Sequence, residues 1–206
     1  MHAALFDLIG ARFERRHGAV LRRRHLAAAA GRVLEIGAGT GANLAHYPSA
    51  VTDLVLSEPD PAKLRRARRR AGGSPRRVEL VQAAAESLPF PDRSFDTVVS
   101  TTVLCSVTDV PAALREVGRV LKPAGHLLFA EHVRSADPSR ARWQDRLERP
   151  WGVIGGGCHP NRDTGAFLAA AGFVVEIEEE GELPMVPRLV RPFIAGRAML
   201  PSDDAG

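Results

Sequence analysis

The chain has 206 residues, 45% of them apolar and 25% charged, which suits one globular domain with its own core and excludes a disordered or collagen-like chain. A net charge of +4 raises the question of nucleic acid, but all but two of the 28 basic residues (Lys63 and Lys122) are Arg. Beside so many Ala, Gly and Pro, that bias reads as coding composition and not as selection for phosphate contacts. Residues 1–30 then read as a helical arm, with Phe6, Ile9 and Phe13 spaced for one face. Residues 33–36 (VLEI) form a first buried strand, ended by glycines, and residues 53–57 (DLVLS) a second. Pro59 and an Arg-rich helix follow. In that helix Leu64, Ala67 and Ala71 face inward, so the run from Arg65 to Arg70 is taken as a solvated face and not as an RNA-facing patch. Residues 78–81 are a third strand and 95–100 a fourth. A helix is expected from about 110 to 121: Asp109 caps it, Pro111 suits its first turn, and Leu114, Val117 and Leu121 share a face. Pro123 and Gly125 stop it, and residues 126–130 make a fifth strand.

Strands alternating with helices predict βαβ units around a parallel sheet covered on both faces. The C-terminal part departs from that rhythm. Residues 134–160, with Trp143, Trp151 and the run Gly155-Gly156-Gly157, read as an irregular region. Residues 173–177 and 193–199 are strand-like with no helical pattern between them, only a connection holding Gly181, Pro184 and Pro187. A short connection joins antiparallel neighbours, not parallel ones, so one antiparallel strand is expected near the sheet edge. The whole is read as a single α/β domain over 1–206: arm 1–30, ligand-binding core 31–133, and a lid or substrate region with an antiparallel strand pair over 134–206. No apolar stretch is long enough to span a bilayer, and Met1-His2-Ala3 leads into arginines without the apolar centre of a signal peptide, so a cytoplasmic protein is expected. Cys105 and Cys158 lie far apart and form no Cys-x-x-Cys pair, which reads as two free thiols with neither a disulfide framework nor a metal site.

The loop Glu35-Ile36-Gly37-Ala38-Gly39-Thr40-Gly41 carries the functional signal. Glycines after a buried strand let backbone approach a ligand closely, and a helix starting beyond them would offer unpaired N–H groups. The spacing Gly37-x-Gly39-x-x-Ala42 also fits a dinucleotide fingerprint. Glu35 argues against a dinucleotide, because a carboxylate there can hold the cationic amino end of a methionine, directly or through water, whereas a pyrophosphate gains nothing from it. Glu58, about twenty residues on, is placed to accept both hydroxyls of a ribose. The chain continues with Ala85-Glu86-Ser87-Leu88-Pro89-Phe90, Phe95-Asp96 and Leu121-Lys122-Pro123-Ala124-Gly125.

Over residues 33 to about 133 these four ordered motifs resemble the class I S-adenosylmethionine-dependent methyltransferases, of the branch that includes the ubiquinone-biosynthesis enzymes. The resemblance implies a Rossmann-like three-layer sandwich around a mostly parallel seven-stranded sheet, with S-adenosylmethionine as cofactor. It implies that Gly37, Ala38, Gly39, Thr40 and Gly41 line the methionine and ribose, that Glu58 takes the ribose, and that Pro59 lies against adenine. Thr101 is also expected to bind the cofactor, near its methyl donor, and by the resemblance the Ala85 N–H would meet the adenine ring. Ala84 stands where the family often has Asp, so Glu86 or a backbone carbonyl would serve the adenine amino group. Residues 103–107 (VLCSV), Glu131-His132-Val133, Gly157-Cys158 and residues 190–196 (VRPFIAG) further resemble the mammalian thiol methyltransferase-like proteins. Those methylate small alkyl thiols from a membrane anchor. The N-terminus here shows no such anchor, and a soluble relative is expected.

Residues that follow the fourth and fifth strands should surround the methyl donor: Thr101, Thr102, Glu131 and His132. His132 is the first candidate for a base and Glu131 its orienter or substitute, with a structural role as the alternative for both. Cys158 beside His159 could pair as thiol and base, but methyl transfer needs no enzyme nucleophile, so Cys158 reads as pocket wall or core and Cys105 as packing beneath the site. Trp143 and Trp151 either cover the site or pack on the sheet edge. The expected reaction is methylation of a small molecule, a thiol first. The alternatives are O- or C-methylation of a small metabolite and a non-catalytic S-adenosylmethionine-binding protein. Nucleic acid is not expected as acceptor, because Ser100-Thr101-Thr102-Val103 is not the Asp/Asn-Pro-Pro-aromatic loop of enzymes that methylate base amines, and the Pro-Cys pair of cytosine enzymes is absent.

Overall fold

The computed structural model describes residues 18–201. The expected helical face of Phe6, Ile9 and Phe13 lies outside the described residues. The first described helix, α1, is Ala19–His25. Strands β1 (Gly31–Ile36), β2 (Val51–Ser57), β3 (Val78–Val81), β4 (Phe95–Thr101) and β5 (Leu121–His132) alternate with α2 (Pro61–Ala71) and α3 (Val110–Val120). Helices α4 (Pro138–Ile154) and α5 (Thr164–Ala170) then lead to β6 (Val174–Glu182) and β7 (Pro192–Met199).

These seven strands make one sheet in the order β3-β2-β1-β4-β5-β7-β6. The first five run parallel, and β7 inserts antiparallel between β5 and β6, as the short connection from 183 to 191 requires. The order reverses at β1, whose neighbours are β2 and β4. The carboxyl ends of β1 and β4 therefore form the crevice where a doubly wound sheet binds its ligand.

Central strands are apolar on both faces because helices cover both. Residues 33–36 of β1 are all buried, and Phe95 and Phe129 are fully buried. In α3 the buried residues Val110, Ala113, Leu114, Val117 and Val120 recur at three and four residues, and the Asp109 side chain accepts from Ala112 N at 2.9 Å, a cap worth about 1 kcal/mol. In α2, Leu64 and Ala67 are buried while the arginines face outward. The edge strand β6 carries Glu176, Glu178, Glu179, Glu180 and Glu182, charges that discourage pairing with another chain.

Two expectations fail. No α-helix follows the glycine loop: residues 38–43 turn, and only one 3-10 turn, Leu44–His46, precedes β2. The N–H groups of Ala38, Gly39 and Gly41 are bonded within the protein instead, to Ser57 O, Glu58 Oε2 and Ala38 O. Residues 134–160 are not irregular, because 17 of them form α4. Its start is capped by Asp137, which accepts from Ser139 N at 2.8 Å, with Pro138 in the first turn. Its buried residues are only Ala141 and Gln144, so no apolar stripe marks it.

Candidate functional site

Three glycines of the loop sit at positive φ, for different reasons. A Cβ on Gly37 (φ +55) would lie 2.6 Å from Val103 Cγ1, and one on Gly41 (φ +77) 2.8 Å from Leu44 Cδ1. Those two serve packing. A Cβ on Gly39 (φ +58) would meet nothing nearer than Gly37 O at 4.0 Å. Its side is open, as backbone that lets a ligand pass must be.

Beside it stands Glu58, 3% exposed at the end of β2, with Oε2 accepting from Gly39 N at 2.8 Å and Oε1 from Asp60 N at 3.0 Å. Each oxygen keeps a second lone pair, so the carboxylate is both tied to the loop and able to accept hydroxyls. Pro59 is exposed next to it. Thr40 Oγ1 accepts from Arg70 at 3.1 Å, and Ala38 N donates to Ser57 O at 2.9 Å, which fixes the loop against β2 and α2.

Glu35 does not point an unpaired carboxylate into the crevice. It is 3% exposed; its Oε1 accepts from Asn43 Nδ2 at 3.0 Å and its Oε2 from the Tyr47 hydroxyl at 2.7 Å. Asn43 also donates to Thr101 Oγ1 at 3.1 Å and accepts from Arg22 at 2.6 Å. Burial pushes the Glu35 carboxyl up to about 7, against the pull of Tyr47, Arg22 and Asn43. Asn43, Tyr47 and Arg22 were missed by sequence reading. The spacing of Asn43 and Tyr47 just past the glycines was the available signal; Arg22, from a distant helix, gave none.

Ala85, expected beside adenine, is buried in the core, and its loop is clamped to α3. Leu88 N donates to Glu116 at 2.7 Å, while Arg119 donates to Leu88 O at 2.9 Å and Phe90 O at 2.7 Å. Glu86 departs from expectation. Its Oε1 accepts from Thr108 N at 2.8 Å and Asp109 N at 3.3 Å, which holds the start of α3.

Glu131, at the end of β5, is fully buried. Its Oε1 accepts from Ser100 Oγ at 2.7 Å, Val103 N at 3.0 Å and Leu104 N at 3.2 Å, and its Oε2 from Cys105 N at 3.2 Å. Burial raises its pKa while these donors oppose the rise. Four donors make it the anchor of the loop after β4, in place of the base or orienter expected. That loop begins with Thr102, at φ +55 although it is not glycine, a conformation that costs on the order of 1 kcal/mol or more and recurs at ligand sites.

Thr102 borders two cavities. The first, about 170 Å³, lies between α1 and the sheet, with Arg22, His25, Thr101 and Phe193 in its wall. The second, about 200 Å³, is bounded by Thr102, Cys105, His132, Trp151, Cys158 and Val190. Burial lowers the pKa of His132, with the nearby Val190 backbone opposing, and its buried Nδ1 has no partner. His159 is not paired with Cys158; its Nδ1 lies 2.8 Å from Glu148 Oε1. Trp151 packs with the two cysteines, while Trp143 is 56% exposed with the Arg146 guanidinium 5.7 Å from its ring centre, and covers no site. Among the described residues no helix is long and apolar enough to cross a membrane.

The open side of Gly39, the buried Glu58 beside it and the exposed Pro59 suit a ribose-bearing cofactor with a small methionine-like end near Thr101. Residues 34–129 match the family described as "Methyltransferase domain". The chain is 38% identical over 173 residues to the thiol S-methyltransferase TMT1B of Rattus norvegicus, an alignment that covers 81% of this chain and 70% of that one. It is 35% identical to the thiol S-methyltransferase TMT1A of Homo sapiens, with the same coverage. A ubiquinone/menaquinone biosynthesis C-methyltransferase of Shewanella is 41% identical over 105 residues, 48% of this chain and 42% of that one. Among solved structures, an S-adenosylmethionine-dependent methyltransferase from Thermotoga maritima superposes over 97% of this chain and 99% of that one, with a TM-score of 0.67 and 22% identity.

Proposed function

Since the chain belongs to the S-adenosylmethionine-dependent methyltransferases, we propose that its acceptor is a small apolar thiol, seated in the cavity bounded by Thr102, His132 and Val190. The observation that carries this reading is the buried, unpartnered Nδ1 of His132 in an otherwise largely apolar wall. A thiol S–H gives that nitrogen the donor it lacks. The thiol methyltransferases named above support the same acceptor class.

S-adenosylmethionine, when bound, supplies an electrophilic methyl carbon on a sulfonium sulfur. In this reading the open side of Gly39 and the backbone of Gly37, Ala38, Thr40 and Gly41 cradle it, Glu58 accepts from its ribose, and Pro59 and Ala85 border its adenine. Asn43 and Thr101 close the methionine end, with Glu35 acting through Asn43 and Tyr47. Glu131 pins residues 103–105, and so fixes Thr102 between donor and acceptor. Positioning of this kind supplies much of the rate of an in-line displacement.

His132 stays neutral near pH 7, because burial holds its pKa below the ordinary value. It accepts a hydrogen bond from the S–H of the entering thiol and so orients the sulfur; the thiol then gives its proton to solvent by its own acidity, and the thiolate left behind is the nucleophile. An alcohol lacks that acidity and would need a committed base, for which His132, its pKa lowered by burial, is poorly suited.

The test compares one alkyl thiol with its oxygen analogue across pH, in wild type and His132→Ala. Wild type should turn over the thiol faster, with a rate that rises as the thiol ionises. His132→Ala should lose about one hydrogen bond, about 1 kcal/mol or roughly fivefold in kcat/KM, and keep the same pH dependence. Faster turnover of the alcohol overturns the thiol assignment. Complete loss in a folded mutant that still binds cofactor makes His132 an obligatory base instead.

A further inference from the structure

Two thiols 53 residues apart in the chain meet in one cavity wall. Cys105 is 1% exposed, on the loop that Glu131 anchors, and Cys158 is 7% exposed, just beyond α4. Both pack with Val190 in one apolar cluster. Their backbones are joined directly: His159 N donates to Cys105 O at 2.8 Å, so each cysteine Cα is two bonds from an end of that hydrogen bond. The glycine run explains the approach. Gly156 (φ +66) and Gly157 (φ +92) turn the chain in conformations other residues rarely adopt, and a Cβ on Gly157 would lie 3.5 Å from Ser106 O. Nothing in methyl transfer calls for this pair.

We propose that Cys105 and Cys158 form a reversible dithiol–disulfide pair, oxidised by small hydroperoxides that enter the cavity they line. The Cys158 thiolate attacks the terminal peroxide oxygen; the O–O bond breaks, and the other oxygen leaves as hydroxide (or, from an alkyl hydroperoxide, alkoxide), which takes a proton to become water (or an alcohol). Cys158 then carries a sulfenic acid. The Cys105 sulfur attacks the Cys158 sulfur, the S–S bond forms, and the sulfenic oxygen leaves as a second water with the Cys105 proton. Two electrons pass from the thiols to the peroxide, and a dithiol reductant returns them.

The surroundings divide the two roles. The Cys158 thiol is held below its ordinary range chiefly by the neighbouring Cys105 thiol, with Trp151 and the Arg162 cation adding to the effect. Cys105 is pushed up by its bond to Cys158 and by burial. Cys158 is thus the attacking sulfur and Cys105 the resolving one. A disulfide here would tie the two walls of the cavity together, and, on the reading of that cavity as the acceptor's, it would stop methyl transfer.

The experiment treats the folded full chain with hydrogen peroxide, then measures intact mass, free thiols and cofactor binding. The expected product is a monomer lighter by two hydrogens, with no free thiol and cofactor binding retained, reversed by dithiothreitol. Cys105→Ser, checked for folding by its melting transition, should instead carry an oxygen on Cys158 that reacts with dimedone. Two free thiols surviving in wild type, or a disulfide between two chains, overturns the proposal. So does oxygen held on Cys158 in wild type without bonding to Cys105. If the intramolecular disulfide forms and thiol methylation persists, the redox pair stands and the acceptor reading of the cavity falls.

Discussion

The glycine-loop side and the acceptor side of this site are built by different means. On the cofactor side, the polar groups already have protein partners: Glu58 bonds two backbone N–H groups and keeps a lone pair on each oxygen, and Glu35, Asn43, Tyr47 and Thr101 bond one another. On the acceptor side, Cys105, Trp151, Cys158 and Val190 present mainly apolar or sulfur surface, and His132 Nδ1 is left without a partner. The first arrangement holds one fixed ligand by its polar groups. The second offers only a few polar groups, the Thr102 and Ser106 hydroxyls and His132 among them, to orient whatever enters. Cofactor binding and acceptor choice should therefore respond to different mutations.

The sharpest break is expected within the glycine loop itself. Gly37→Ala puts a Cβ 2.6 Å from Val103 in a left-handed conformation, and should destabilise the fold by roughly 3 kcal/mol or more. Gly39→Ala carries only the conformational cost, about 1–2 kcal/mol, yet fills the open side of the cradle. Thermal melts should separate the two variants, while calorimetry with S-adenosylmethionine should show cofactor affinity lost in Gly39→Ala as well. Equal stability of the two would contradict the packing role given to Gly37, and normal affinity in Gly39→Ala would place the cofactor elsewhere.

Glu35 gives the cofactor side a pH signature. Its carboxyl is raised from 4.5 to about 7, chiefly by burial, so the folded state binds its proton more tightly than the unfolded chain. The stability this contributes is full below about pH 4.5 and is lost as pH rises through 7, on the order of 3 kcal/mol in all. Glu35→Gln should flatten that fall in denaturant titrations from about pH 4.5 to about pH 8. A mutant with the wild-type slope would assign the fall to other groups.

On the acceptor side, Glu131→Gln sets an amide N–H₂ against the N–H of Cys105, where an oxygen now accepts. A loss of about 1–3 kcal/mol in stability is expected, with KM for the acceptor raised more than cofactor affinity is weakened. An unchanged KM would mean that the loop after β4 does not shape the acceptor cavity.

The two sides also differ in how far the sequence reveals them. Strands β1 to β5, the antiparallel insertion of β7 and the ligand loop could be read because each depends on neighbouring residues: apolar runs, left-handed glycines, a short connection. The helix expected after Gly41 failed for a local reason, since residues 38–46 close in turns before β2 begins. Helix α4 was hidden because it buries only Ala141 and Gln144, and the periodicity that would mark it is missing. The acceptor cavity draws on Thr102, His132, Trp151, Cys158 and Val190, which only the folded sheet brings together. Glu131 and His132 were noticed in sequence, yet their division of labour rests on long-range partners: the N–H groups of 103–105 for one, the backbone of Val190 for the other.

The most direct test of this division fills the acceptor cavity and leaves the glycine loop alone. Val186, half-buried against Cys105, Cys158 and Val190, lines that cavity and touches none of the cofactor-side residues named above. In Val186→Phe, kcat/KM for an alkyl thiol should fall on the order of a hundredfold, about 2.7 kcal/mol of lost transition-state binding, while the calorimetric Kd for S-adenosylmethionine stays at the wild-type value. Wild-type turnover in this variant, or a cofactor Kd that rises in step with the lost turnover, would contradict the separation of the two sides.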